Sequence, residues 1–459
     1  MITSVDKGRD QTVESFDFRS PNRFLIINTI VAALGGLLFG FDTAVIAGTT
    51  EALKSTFQLS SWSLGLTVSV ALWGTVIGAL TAGYPGDRIG RRDTLRVLAL
   101  LYVVSALGCG LAFDWNALAV FRFMEGLAIG GSSVLGPMYI AEIAPAKWRG
   151  RLVGFFQMNV VLGIMLAYLS NAIIAAIHFG PSEWRWKLGI AALPAALFFL
   201  MLFRIPRSPR WLAAKGRLEE ARIVIEMSGN QRADEEIQEI LSSLNYEKCS
   251  DSRLFTRKHM LPIFLAVSIG MFNQLTGINA ILYYINDIFR SAGFSSISSD
   301  IQSVCVGSTL LVFTLLGTSV IDHFGRKKLL LLGSVGTSIC LAAVAWVFVT
   351  KTHEKILLLL LVCYIAFFAL SQGAVIWVYI SEVFPNHIRA KGQSLGSFSH
   401  WIMNAIISAV FPAMAVSFGG YAFAFFSAMM VVQFLVVLMV YPETKGISLE
   451  RMERKLGVN

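Results

Sequence analysis

Hydrophobic residues in this chain run in blocks of about 20, each long enough to cross the hydrocarbon core of a bilayer as a helix. The blocks fall near 25–48, 62–84, 95–113, 116–140, 152–178 and 186–204. After a polar stretch they resume near 260–289, 301–321, 328–350, 356–381, 392–416 and 420–441. The pattern predicts an all-α membrane protein with twelve spans in a six-plus-six arrangement. The chain divides accordingly into a polar segment 1–24, a first bundle 25–204, a connector 205–258, a second bundle 259–441 and a tail 442–459. Within the connector, Leu218 to Met227 and Asp234 to Leu244 place Leu and Ile at helical spacing among Glu and Arg. That spacing predicts solvated amphipathic helices joining the bundles.

Charged signatures punctuate the blocks, and each occurs twice, about 235 to 240 residues apart. Asp87-Arg88-Ile89-Gly90-Arg91-Arg92 returns as Asp322-His323-Phe324-Gly325-Arg326-Lys327. Glu142-Ile143-Ala144-Pro145 with Arg149 returns as Glu382-Val383-Phe384-Pro385 with Arg389. Pro206-Arg207-Ser208-Pro209-Arg210 has a looser echo in Pro442-Glu443-Thr444-Lys445-Gly446. Two similar apolar halves suit a carrier that rocks around a site at their interface.

Composition narrows the class. Of 459 residues, 55% are hydrophobic and 15% charged, with a mean hydropathy of +0.65. Soluble domains carry about 25% charged residues, so lipid is the solvent for most of this chain. The net charge of +9 sits in short segments flanking the apolar blocks, with no basic face interleaved by aromatics, which argues against nucleic acid. Basic residues follow blocks two, four, eight and ten, a positive-inside pattern that predicts both termini in the cytoplasm. The first 24 residues are polar and of mixed charge, so the N-terminus is expected to be retained rather than cleaved as a signal peptide. The five cysteines form no CxxC pair and read as small buried hydrophobes. No phosphate-binding loop, metal-ligand spacing or nucleophile–base pair is present, so no enzyme activity, metal or cofactor is expected.

Further motifs complete a known pattern: Pro137-Met138-Tyr139-Ile140-Ala141-Glu142, Trp184-Arg185-Trp186, and Gln274 with Gly277, Asn279, Tyr283 and Tyr284. With the paired signatures and the closing Pro-Glu-Thr-Lys-Gly, the chain resembles sugar porters of the major facilitator superfamily over nearly its whole length. These include bacterial proton:sugar symporters and facilitative glucose transporters. The resemblance implies the major facilitator fold, with two pseudo-symmetric six-helix bundles and a cytoplasmic helical connector. It also implies a functional monomer whose partners are a sugar, protons and membrane lipid.

The resemblance assigns roles position by position. Asp87, Arg91, Glu142, Arg149, Asp322, Arg326, Glu382 and Arg389 would form a cytoplasmic latch between the halves when the carrier is open outward. Asp42 lies deep in block one, where an unpaired carboxylate costs roughly 2.5–3.5 kcal/mol even on the lenient scale. Arg122 is its expected partner. Proton-coupled relatives carry an aspartate at this place and facilitative ones a neutral residue, so the pair reads as a proton-coupling site or as a permanent bridge between helices. Glu125 stands where the family has glycine. It would compete with Asp42 for Arg122, share the proton, or face a water-filled vestibule.

Sugar hydroxyls both give and accept hydrogen bonds, which side-chain amides can answer, and sugar C–H faces pack on aromatic rings. Phe39, Gln157, Asn273, Gln274, Asn279, Tyr283, Trp377, His400, Trp401 and Asn404 occupy the family's sugar-contacting region. Gly277, Gly373 and Pro412 are expected to interrupt helices lining that cavity. Several positions depart from the family. Asn273 replaces the first of two glutamines, Leu310 an asparagine, His400 an amide and Ala374 a proline; Ile164 stands where some pentose porters have glutamine. The resemblance favours a hexose ahead of a pentose, with a polyol as a further option, imported by proton-coupled alternating access. The alternatives are a facilitative uniporter of the same fold and a non-transporting sensor.

Overall fold

The computed structural model describes residues 22–230, 232–249, 254–385 and 388–446, and residues 452, 455 and 456. The expected N-terminal segment therefore lies almost entirely outside the described residues, as does most of the tail after 446. Among the described residues, 12 helices are long and apolar enough to cross a membrane. Spans one to six are Arg23–Gly48, Ser61–Thr81, Arg91–Leu111, Trp115–Ile143, Lys147–Ile177 and Gly180–Met201. Spans seven to twelve are Arg257–Tyr283, Ser298–Phe324, Arg326–Thr350, Glu354–Glu382, Lys391–Phe418 and Tyr421–Val440. Between the two sets, helices Pro209–Ala214, Leu218–Met227 and Ala233–Cys249 form the connector. Its Trp211 is buried and donates its indole N–H to the Asp87 carbonyl at 3.0 Å, fastening the connector beneath the first half.

Large apolar side chains such as Leu80, Val97, Leu107, Leu200, Ile339 and Met439 are exposed around the helices. In a chain with this span pattern they face acyl tails, and the driving force for bundling must come from close packing. Glycines supply it where the site is built. A Cβ on Gly40 of span one would lie 1.7 Å from the Val160 carbonyl of span five. One on Gly126 of span four would lie 1.9 Å from the Ala71 carbonyl of span two. Only glycine permits these approaches, which bring Phe39 and Asp42 towards Gln157 and hold the Arg122 helix against its neighbour.

Two of the expected helix breaks occur near their predicted places. Span seven stops at Leu275 and restarts at Ile278, with Gly277 at φ +80° in the left-handed region that favours glycine. Span ten breaks at Ser371 (φ −114°, ψ −86°), two residues ahead of Gly373, which sits inside the second segment Gln372–Glu382. Pro412 breaks nothing: it lies within the continuous helix Arg389–Phe418. Proline frees the carbonyl four residues earlier, and here the Tyr284 hydroxyl donates to that Ser408 carbonyl at 3.0 Å. A cross-helix hydroxyl thus replaces the missing N–H, and the helix continues.

The two halves meet through spans two with eleven and five with eight. Hydrogen bonds cross between them on the face away from the connector. Tyr168 donates to the Leu282 carbonyl at 2.8 Å, and Thr50 to Asp287 at 3.0 Å.

Candidate functional site

A cavity of about 120 Å³ lies between the halves. All ten residues assigned to sugar contact line it. Span one brings Phe39, span five Gln157, and the broken span seven Asn273, Gln274, Asn279 and Tyr283. Trp377 follows the break of span ten, and His400, Trp401 and Asn404 stand on span eleven.

The break after Leu275 explains how one helix delivers four polar side chains to one place. Gln274 lies one residue before the end of the first segment and Asn279 one after the start of the second, so Asn279 donates to the Gln274 side-chain oxygen Oε1 at 2.9 Å across the gap. Gln274 in turn donates to Asn273 at 3.1 Å and lies 3.2 Å from the His400 ring nitrogens. On the other wall, Asn404 donates to the Tyr283 hydroxyl at 3.2 Å, and Ser408 to Asn404 at 3.1 Å. Aromatic rings pave the rest: Phe39 against Trp401 at 5.2 Å, Trp377 against His400 at 5.1 Å, and His400 edge-on to Trp401 at 5.1 Å. Gln157 differs from the other amides, forming no hydrogen bond with any described residue. Its donor and acceptor are both free for a ligand. Leu310 and Ile164 form an apolar patch of the wall.

Thr43 and Thr314 also line the cavity and were not anticipated. The signal was present: Thr314 lies one helical turn after Leu310, on the same face of span eight.

Beside this cavity lies a smaller void lined by Asp42 and Arg122, and Phe39, Thr43 and Tyr283 line both. One Arg122 nitrogen, Nη1, donates to Asp42 Oδ1 and also to Glu125 Oε2, the latter at 2.9 Å. All three side chains are buried, and Cys109 Sγ lies 3.7 Å from the same Glu125 oxygen. Glu125 lines neither void; it sits behind Arg122, walled from the cavity. Two carboxylates against one guanidinium leave a surplus negative charge in a low-dielectric interior unless a proton is held there. The arrangement places two buried carboxylates and an arginine one side chain away from the amide- and aromatic-lined cavity.

Six of the eight residues assigned to a latch, all but Arg149 and Arg389, gather on the connector face as two clusters of matching geometry. In the first half Arg91 pairs with Asp87 at 2.7 Å and with Glu142 at 3.0 Å, and Ser208 donates to Glu142. In the second half Arg326 pairs with Asp322 at 2.9 Å and Glu382 at 2.8 Å, and Thr444 donates to Glu382 at 2.6 Å. The three repeated signatures are therefore one repeated cluster. Each of these pairs stays within its own half. Arg149 is exposed and makes no ion pair among the described residues, while Arg389 heads the helix Arg389–Phe418.

The family model for "Sugar (and other) transporter" matches residues 28–456. The chain belongs to this family. It is a multi-pass membrane transporter of the major facilitator fold, not an enzyme. The D-xylose-proton symporter of Escherichia coli K12 is 36% identical over 93% of this chain and 94% of its own length. The arabinose-proton symporter of Bacillus subtilis strain 168 is 36% identical over 94% of this chain and 95% of its own. The glucose transport protein of Synechocystis is 36% identical over 94% of this chain and 97% of its own. Among solved structures, the inward-open conformation of the E. coli xylose transporter XylE superposes with a TM-score of 0.84 at 35% identity, covering 94% of this chain and 100% of that one. The same protein bound to 6-bromo-6-deoxy-D-glucose gives 0.78 at 35% identity, covering 94% and 99%.

Proposed function

We propose that this protein imports a monosaccharide together with protons by alternating access. The observation that carries the reading is the shared wall of the two voids. Phe39, Thr43 and Tyr283 border the amide- and aromatic-lined cavity on one side and the Asp42–Arg122 pair on the other. A sugar that moves those side chains alters the surroundings of Asp42, and a proton on Asp42 releases Arg122. Binding and protonation are thereby coupled through contact rather than through distance.

The relatives named for xylose, arabinose and glucose leave the hexose preference without support, since pentose symporters stand among the leading matches. The substrate class is therefore a monosaccharide, pentose or hexose. We take the connector face and both termini as cytoplasmic, from the basic residues flanking spans two, four, eight and ten, with the protein a monomer in a bacterial inner membrane. The better fit to the inward-open XylE structure fits a state open on that face. The arginine–glutamate clusters, satisfied within each half here, would exchange partners across the halves when that face shuts, with Arg149 and Arg389 joining them.

The test is uptake of a labelled pentose and hexose panel into proteoliposomes, with and without an imposed inward proton gradient. Uphill accumulation that depends on the gradient supports symport and names the sugar. Equilibration indifferent to the gradient makes the protein a uniporter and reduces Asp42–Arg122 to a helix bridge. Absence of uptake for every sugar refutes the substrate class.

A further inference from the structure

Lys187 is a lysine buried to 2% exposure on the face away from the connector. It pairs with Glu183 of its own half at 2.7 Å and reaches Asp300 of the other half at 3.6 Å. It also donates to the Gly48 carbonyl at 3.1 Å, at the end of span one. Asp300 is itself buried and accepts from Asn286, which in turn accepts from Ser303 at 2.5 Å. A second bond crosses the same seam, from Thr50 to Asp287, and Asp287 also pairs with Arg290 at 2.8 Å.

Charges this deep need partners in every state the protein visits, because an unpaired buried charge costs several kcal/mol. Parting the halves on this face would separate Lys187 from Asp300 and Thr50 from Asp287. Lys187 would keep Glu183, Asp300 would keep Asn286, and Asp287 would keep Arg290. Each charged group carries a spare partner on its own side of the seam. A contact meant to be permanent has no need of those spares, whereas one that opens and closes does.

We propose that Lys187–Asp300, seconded by Thr50–Asp287, is the latch that holds the outer face shut and sets the balance between the two openings of the carrier. It is the counterpart of the arginine–glutamate clusters on the connector face, built from different residues because the signature repeat does not extend to this side. The assignment rests on the alternating-access reading above. Its test reads conformation in the absence of sugar and of any proton gradient, so the two can fail separately.

Nitroxide labels at Ser55→Cys and Ser291→Cys, both exposed and on opposite halves of this face, report its opening by pulsed electron–electron distance measurement in nanodiscs. The native cysteines are replaced by alanine in this background. Asp300→Asn is expected to enlarge the long-distance population several-fold, with Lys187 still neutralised by Glu183. Thr50→Val, which alters no charge, is expected to do the same to a smaller degree and serves if Asp300→Asn does not fold. Glu183→Gln removes the spare: Asp300 is then the one carboxylate left to Lys187, beside the Gly48 carbonyl, and the long-distance population does not grow. Wild-type distributions in both Asp300→Asn and Thr50→Val would overturn the proposal. Equal widening in Asp300→Asn and Glu183→Gln would also overturn it, as general loosening rather than a latch.

Discussion

Arg207 reaches Asp93 at 3.0 Å, where the other half of the molecule places Glu443 over the start of span nine. The two corners are related by the internal repeat but carry opposite charges. Glu443 accepts from the backbone N–H groups of Arg326 and Lys327 at 2.9 and 3.1 Å, capping that helix from outside. In the first half the acid belongs to the helix itself, as Asp93 in the first turn of span three, and the connector supplies the cation. Asp93 also pairs with Arg92 at 3.0 Å and Arg96 at 2.8 Å, so it serves three guanidinium groups. Asp93→Asn should therefore lower the thermal unfolding temperature in detergent more than Arg207→Gln. The Arg207 change should cost no more than about 1 kcal/mol, since that pair is partly solvated. The reverse order would mean that the corner is held by Arg207 stacking on Trp211 instead.

Gln157 is the cavity amide without an internal partner, and its removal strands no neighbour. Gln157→Ala should weaken sugar binding by about 1 kcal/mol, roughly fivefold in Kd, with protein stability unchanged. Asn279→Ala should do more, because it also releases the Gln274 side chain. Calorimetric titration of both variants with the transported sugar gives the comparison, and an unchanged Kd for Gln157→Ala would place the sugar against another wall.

Asp42 and Glu125 share one arginine nitrogen, yet only Asp42 borders the void next to the cavity. Asp42→Asn should abolish gradient-driven accumulation while leaving sugar exchange across the membrane intact. Glu125→Gln should retain accumulation, at a reduced ratio, because it relieves the surplus charge without blocking Asp42. Paired measurements of counterflow and accumulation decide the matter. If Glu125→Gln were the variant that lost accumulation and Asp42→Asn kept it, the proton carrier would be Glu125.

Much of this was legible in the chain because membrane folding writes itself in one dimension. Span length follows from bilayer thickness, and Arg91 and Glu142 stand out because their signatures recur. The sequence suggested pairing across the halves, however, and not the pairing within each half seen here, nor the part Ser208 takes in it. The cavity residues were named through resemblance, and their convergence followed from a break that Gly277 announces. Other features are set by partners far apart in sequence. Nothing near Pro412 indicates that Tyr284 will answer the freed carbonyl, so a proline that reads as a break lies in an intact helix. Nothing near Lys187 points to Asp300, since neither belongs to a repeated motif. Glu125 announced itself as a departure, but which side of Arg122 it occupies depends on the approach of spans two and four at Gly126.

The relationship between Pro412 and Tyr284 can be tested as a cycle. Tyr284→Phe leaves the Ser408 carbonyl without its donor in a buried setting, at a cost of about 1–3 kcal/mol. Pro412→Ala restores the N–H that a helix normally offers to that carbonyl. Tyr284→Phe should therefore destabilise the wild-type protein clearly and the Pro412→Ala background much less. Additive effects in thermal unfolding would show that the Tyr284 hydroxyl is not what sustains the helix.

Glu443 gives a pH dependence whose sign can be worked out. Burial pushes its carboxyl upward, but the backbone N–H groups of Lys445, Arg326, Lys327 and Thr444 outweigh that and leave it below the ordinary value of 4.5. A carboxylate depressed in the folded state stabilises fully above its unfolded value, and that stabilisation is lost as the pH falls through the folded one. Glu443→Gln should accordingly lower the unfolding temperature by a constant amount at neutral pH, and the gap to the wild type should close only below about pH 4.5, the unfolded value. Half-exposure of the site keeps the effect modest. Unfolding curves of the two proteins across that range provide the check. A gap that narrowed already between pH 7 and 6 would rule out Glu443 as its source.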